Sequence, residues 1–320
     1  MVYNVFTTKQ GNTKKNTLME RYSKILEICK RFCGHSAPNA VKTPKVGRPA
    51  RLDDVEITAI SLYQEEMGYC SERDFFIFLS EQHPEIASKL GTRRNYNSRR
   101  RKVAAMCEKI RQKLAASLRC QDDSIYIVDS MPLPMCRHSR RKRCRIMQER
   151  EVAQPLMGRC AAQNEYYYGY KLHAVCTPEG VIVAYDLSPA NVHDNEYLKD
   201  IKTQFRHCVL LGDKGYRSIP KQYELFEYAG IELHVPYRYN ETAYVEYPEH
   251  WRKIRKRIEV CFSQLVEQLQ IRRNFAKSQF GLFTRIIAKI TLFTLSQYVN
   301  VCRNKPVGQT KHALAALESA

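Results

Sequence analysis

The sequence predicts an α/β protein in which a mixed sheet flanked by helices follows a helical, strongly basic region. Three observations carry this prediction. Apolar residues keep helical spacing from about residue 52 to 118. After residue 121 that period gives way to short β-branched and aromatic runs, which come to alternate with helical stretches. Positive charge, +19 net over 320 residues, gathers beside these elements in "RRNYNSRRRK" (93–102), "RHSRRKRCR" (137–145) and "WRKIRKR" (251–257).

Residues 1–50 read as a basic N-terminal arm and linker, with a short helix over 18–32. In the linker, "VGRPAR" carries Arg48 in a Gly-Arg-Pro setting that suits a minor groove, or an ordinary tether. "LDDVEITAISLYQEEMG" opens on an aspartate suited to N-capping, and "SERDFFIFLSEQ" opens on Ser71 in the same way. "TRRNYNSRRRKVAAMCEKIRQKL" predicts a third helix whose first turns are densely basic. Residues 51–120 are therefore expected to form a helical DNA-binding region that meets phosphates. Its contacts would come from Arg93, Arg94, Arg99, Arg100 and Arg101.

Strands are expected at 125–128, 166–176, 181–187, 208–211 and 231–235. Helices are expected at 194–203, 219–228 and 250–274. Three strands with short connections, then alternating helix and strand, then a closing helix, fit a ribonuclease H-like arrangement over 121–303. Residues 304–320 are left as a C-terminal tail. The 44% hydrophobic content supports a core, and no apolar run is long enough to span a membrane. The N-terminus lacks the apolar centre of a signal peptide, and the twelve scattered cysteines read as reduced thiols. A cytoplasmic, nucleoid-associated protein is the expectation.

"SIYIVDSMP" is an apolar strand that stops on Asp129, and "CVLLGDKGY" repeats the pattern at Asp213. A strand buried up to a carboxylate is costly unless the acid is neutralised or holds a metal. If the two strands are neighbours, both acids lie near one edge of the sheet and can bridge a pair of Mg²⁺ ions. Taken alone, "GDKGY" reads as an ordinary strand-to-helix turn. In "IRKRIEVCFSQL" an apolar stripe runs through Ile254, Ile258, Cys261, Phe262, Leu265 and Leu269, and Glu259 sits at its border one turn beyond Arg255. A surface Glu–Arg pair is the plain alternative; Glu224, Glu227 and Glu232 compete as third acids from peripheral elements.

Several ordered motifs together resemble the DDE transposases of bacterial insertion sequences, most closely the family numbered nine-eighty-two. They are "GRPARLDDVEITAISL", "SERDFFIFL", "IVDSMPLPMC", "YYYGYKLHAVCTPEGVI", "SPANVHD", "GDKGY" and "RKRIEVCFSQL". The resemblance implies Asp129, Asp213 and Glu259 as a catalytic and metal-holding triad for two Mg²⁺ ions, with Mn²⁺ as substitute. It also implies double-stranded DNA as partner, both element ends and target, and a homodimer or larger assembly once two ends are joined. The Tyr-Arg-Glu-Lys signature of neighbouring families is incomplete, with Arg252 at the Tyr position and Val266 at the Lys position.

Arg137, Arg140, Arg141 and Arg143 read as a DNA-facing loop, and Lys214, Arg252 and Arg255 as further phosphate contacts. In "NVHDNEYL", His193 and Asp194 are candidates for site support, although helix capping by Asp194 is the simpler expectation. Ser130 reads as structural, since no His-based triad accompanies it. A zinc site at Cys136, His138 and Cys144 lacks a paired Cys-x₂-Cys frame. Two other activities stay open: a non-transposing nuclease of the same fold, and a non-catalytic DNA-binding protein derived from a transposase.

Overall fold

The computed structural model describes residues 5–33, 50–119, 124–136, 138–147, 149, 152–160, 164–237, 241 and 245–314. Arg48 and Arg137 therefore lie outside the described residues. Six helices come first: α1 (Val5–Cys33), α2 (Asp54–Glu66), α3 (Glu72–Gln82), α4 (Pro84–Leu90), α5 (Arg93–Lys102) and α6 (Ala104–Leu118). Asp53 caps α2 in a reciprocal capping box with Glu56, and Ser71 caps α3 through the Asp74 amide. The single basic helix expected from residue 92 onward is instead two, because Val103 leaves α5 with φ −87° and ψ 2°. The helix at Pro84–Leu90 was not anticipated; Pro84 at its first position starts it.

The next segment supplies β1 (Ile125–Cys136), β2 (Leu156–Cys160), β3 (Glu165–Cys176), β4 (Ile182–Pro189), α7 (Leu198–Gln204), β5 (Cys208–Leu211), α8 (Ile219–Ala229), β6 (Ile231–His234) and α9 (Glu249–Glu267). The strands form one mixed sheet in the order β2-β3-β1-β5-β6. β2 pairs the first part of β3 and β4 pairs the rest, both antiparallel. β1 is antiparallel to β3 and parallel to β5, and β5 is parallel to β6.

β1 corrects the expectation that its strand ends at Asp129: it runs on through Pro132 and Pro134 to Cys136. The physical reason is an open edge. Pairing with β5 stops at Ile127–Leu211, while pairing with β3 continues to Cys136. Two residues apart, both prolines direct their nitrogens to the same side, away from β3, where no ladder bond is lost.

One face of the sheet buries Tyr126, Val128, Val175, Leu210, Ile231 and Leu233 against Leu198 and Ile201 of α7 and Leu225 of α8. α9 packs on β1, burying Ile258, Cys261, Phe262 and Leu265. Each such large apolar side chain contributes roughly 1.5–3 kcal/mol when fully buried. α9 stops at Glu267, short of the expected residue 274, and Gln270 lies at φ 49°.

A long helix, α10 (Gln279–Cys302), follows. The chain divides into two compact units, residues 115–279 and residues 1–114 with 280–320. The sequence division ran the catalytic segment on to residue 303, but most of α10 packs with the N-terminal helices. Buried charge explains this: Arg285 and Lys289 of α10 reach Glu65 of α2 at 3.3 and 2.7 Å. Arg100 of α5 joins the same carboxylate at 2.5 Å.

Candidate active site

The β1–β5 ladder places the two strand-borne acids. Its parallel register pairs Ile125 with Val209 and Ile127 with Leu211, a constant offset of 84. Asp129 and Asp213 are separated by the same 213 − 129 = 84 positions, so each lies two residues beyond the last pair, side by side where the strands leave the ladder. Alternation along β1 turns Asp129 to the side of Ile127 and Ser130 to the side of Val128.

Asp129 keeps a fifth of its side chain open, at 20%. Its Oδ1 accepts the Ser130 amide at 2.8 Å. Burial pushes its carboxyl up to about 7, with the negative charges of Asp213 and Asp194 adding to the rise; the Ser130 amide and Arg255 oppose it. Asp213 turns the chain, its Oδ1 accepting the Gly215 amide. Space is tight at Gly215: a Cβ there would come within 3.1 Å of Asp194 Oδ2 and 3.3 Å of Asp213 Oδ1.

α9 brings Glu259 toward the pair through an arginine. Arg255 lies 3.8 Å from Asp129 Oδ2 and 3.2 Å from Glu259 Oε1, one helical turn away. Glu259 is the more exposed of the two acids joined this way, at 53% against 20% for Asp129. Glu224 is engaged elsewhere, by Lys202 beside α8.

Asp194 departs from the capping role expected of it. His193 stands at the cap position, its Nδ1 3.5 Å from the Asn195 amide. The Asp194 carboxylate instead accepts Ser130 Oγ and Lys171 Nζ, each at 2.9 Å. Lys171 was missed from the sequence, as was His173, which is buried beside it. His173 bonds Ser188 Oγ at 2.8 Å and stacks on Tyr197, and burial lowers its imidazole to about 4. The alternation of β3 put Lys171 and His173 on one face, but only the β1–β3 register shows that Ser130 shares it.

The cations sort by exposure. Arg93, Arg94 and Arg101 are open on α5, and Arg140, Arg141 and Arg143 are open on a 3₁₀ turn after β1 (His138–Arg143). Lys214 and Arg252 are open as well. Arg99 is held by the Leu52 carbonyl at 2.7 Å. Arg100 corrects the list of DNA contacts: it is 2% exposed, bonded to Ser61, Gln64 and Glu65, and has no surface to offer a phosphate.

Oxygen-only donors, a neutral-leaning buried acid and local negative charge suit a hard divalent cation. Among the described residues, no three His, Cys, Asp or Glu side chains converge closely enough to hold an ion by themselves. Asp129 and Asp213 would supply protein oxygens, and Arg255 stands between Glu259 and Asp129. A family model described as a transposase DDE domain matches residues 121–295, which is 175 of the 320 residues. The chain belongs to that transposase family. The matched residues include β1 to β6 and the positions of Asp129, Asp213 and Glu259. No curated protein matches the chain, and no solved structure does. Among the described residues of this transposase, no helix is long and apolar enough to cross a membrane.

Proposed function

We propose that this transposase cuts and rejoins DNA at the ends of an insertion sequence, in the manner of the family numbered nine-eighty-two. Its core is ribonuclease H-like, and Asp129, Asp213 and Glu259 are the catalytic acids. The observation that carries this is the parallel β1–β5 register, which sets Asp129 beside Asp213 while Arg255 ties Glu259 to Asp129.

Two Mg²⁺ ions, or Mn²⁺ in their place, supply Lewis acidity and an activated oxygen nucleophile when bound. The chain's own residues do the rest. Asp129 and Asp213 present carboxylate oxygens from a rigid sheet edge, and the Ser130 amide fixes one oxygen of Asp129. Glu259 comes from within α9, its side chain half exposed and paired with Arg255 one helical turn away. Lys214, next to Asp213, and Arg252, one turn before Lys256 on α9, stand where a phosphate backbone crossing the site is held. Arg140, Arg141 and Arg143 extend that basic track, and Arg93, Arg94 and Arg101 form another on α5. Joining two ends calls for at least two copies of the chain, working on DNA in the cytoplasm.

The test uses duplex DNA from both flanks of the coding region, incubated with protein and Mg²⁺ or Mn²⁺, wild type beside Asp129→Asn. Nicks mapped to matching inverted ends, metal-dependent and reduced to background in the variant, are the expected result. Binding without nicks in either protein would instead make the chain a non-catalytic DNA binder. Nicks scattered without regard to the ends would make it a nuclease that does not transpose.

A further inference from the structure

Ser130 is held from two sides. Its amide donates to Asp129 Oδ1 at 2.8 Å, and its hydroxyl donates to Asp194 Oδ1 at 2.9 Å on the other face of β1. Asp194 is itself fixed, because Lys171 donates to the same Oδ1 at 2.9 Å and to the Val192 carbonyl at 2.9 Å. Lys171 and Asp194 are largely sheltered, at 15% and 27% exposure, so the pair is not a freely solvated surface contact. The second oxygen of Asp194 lies against Gly215, whose amide holds Asp213. One carboxylate from the loop after β4 thus reaches the neighbours of both strand-borne acids.

We propose that Asp194, anchored by Lys171, is a positioning residue that sets the orientation of the Asp129 carboxylate through Ser130. It acts on metal binding without being a ligand. The inference rests on the assignment of Asp129 and Asp213 as metal-holding acids and extends it to a supporting shell. A carboxylate that must receive a cation gains affinity when its rotamer is fixed beforehand, and outer partners of this kind typically change metal affinity about 10–100-fold when removed. The backbone amide of Ser130 survives any side-chain change there. What the hydroxyl adds is a tether that keeps the β1 backbone, and with it that amide, at a fixed distance from Asp194.

Mn²⁺ binding to the full chain without DNA, measured by titration calorimetry, tests this. The variants are Ser130→Ala, Ser130→Thr, Asp194→Asn and Asp129→Asn, with metal-free melting temperatures recorded alongside. Ser130→Ala and Asp194→Asn are expected to weaken Mn²⁺ binding by about tenfold or more, with Ser130→Thr, which restores the hydroxyl, close to wild type. Weakened nicking at low Mn²⁺ that recovers at high Mn²⁺ would accompany this. If Asp129→Asn abolishes Mn²⁺ binding while Ser130→Ala and Asp194→Asn bind as wild type, the positioning role is wrong and the acid assignment stands. If Asp194→Asn weakens binding and Ser130→Ala does not, Asp194 is a direct ligand and the proposal fails. If Asp129→Asn binds Mn²⁺ as wild type does, the acid assignment falls and takes this proposal with it. Should Asp194→Asn fail to fold, Ser130→Ala against Ser130→Thr decides alone.

Discussion

Glu65 and Asp129 are both carboxylates taken out of water, and the two units treat them in opposite ways. Burial alone would raise both. At Glu65, Arg285, Lys289 and Arg100 more than cancel that rise and hold the acid down at about 2. At Asp129, burial wins: Arg255 stands 3.8 Å off, two neighbouring carboxylates work against it, and the acid reaches about 7. The first acid is surrounded by its own chain's cations and joins three helices. The second is left short of positive charge at the edge of a sheet, open by a fifth of its surface. Excess cation accompanies the acid that joins three helices, and a deficit of cation accompanies the acid at the candidate site.

Removing the structural acid gives the largest effect. Glu65→Gln leaves three buried cations without their carboxylate and is expected to cost about 3–5 kcal/mol, read as a lower denaturant midpoint. Per folded molecule, Mn²⁺ binding by this variant should be unchanged; a variant of wild-type stability would show that the cluster does not hold these helices together.

Acid and base titrations sharpen the contrast, because the two groups act in different windows with opposite sign. Glu65 has a folded pKa below its ordinary 4.5, so its contribution is present above that value and is lost as pH falls toward about 2. Asp129 has a folded pKa above its ordinary 3.8, so the folded state keeps a proton that the unfolded chain has released. Its contribution is full below about 4 and is lost as pH rises to about 7, with a slope on the order of 1 kcal/mol per pH unit. Metal-free denaturation curves of wild type and Asp129→Asn should therefore diverge between pH 4 and 7 and run parallel above it. Parallel curves throughout would place Asp129 in the ordinary carboxylate range.

The smallest expected effect separates two neighbours in sequence. Arg100 belongs to the Glu65 cluster, while Arg101 is open on α5. Arg101→Ala should leave the melting temperature in place and lower the salt dependence of DNA binding by about one unit of slope. Arg100→Ala should do the reverse, losing stability, with any change in DNA affinity following from unfolding. Equal salt slopes for Arg101→Ala and wild type would take α5 out of the DNA interface.

These contrasts also mark how far the sequence could be read. The strand-and-acid pattern at Asp129 and Asp213 was visible because each apolar run is short and ends on its carboxylate. The caps at Asp53 and Ser71 were visible because capping is a local event. Register was not. Nothing in "YYYGYKLHAVC" says that Lys171 and His173 share a face with Ser130, so the bond from Ser130 to Asp194 stayed hidden and Asp194 read as a cap. Burial of individual cations was hidden too. "SRRRK" looks like one basic surface, and only the packing of α2, α5 and α10 around Glu65 sets Arg100 apart. The run of β1 through its prolines likewise depended on where β5 stops pairing, a non-local fact.

The parallel ladder between β1 and β5 has a further consequence. It measures the gap between Asp129 and Asp213 in strand spacings, about 4.8 Å each, and not in residues of chain. Strand pairing, and not the length of chain between the two acids, sets that distance.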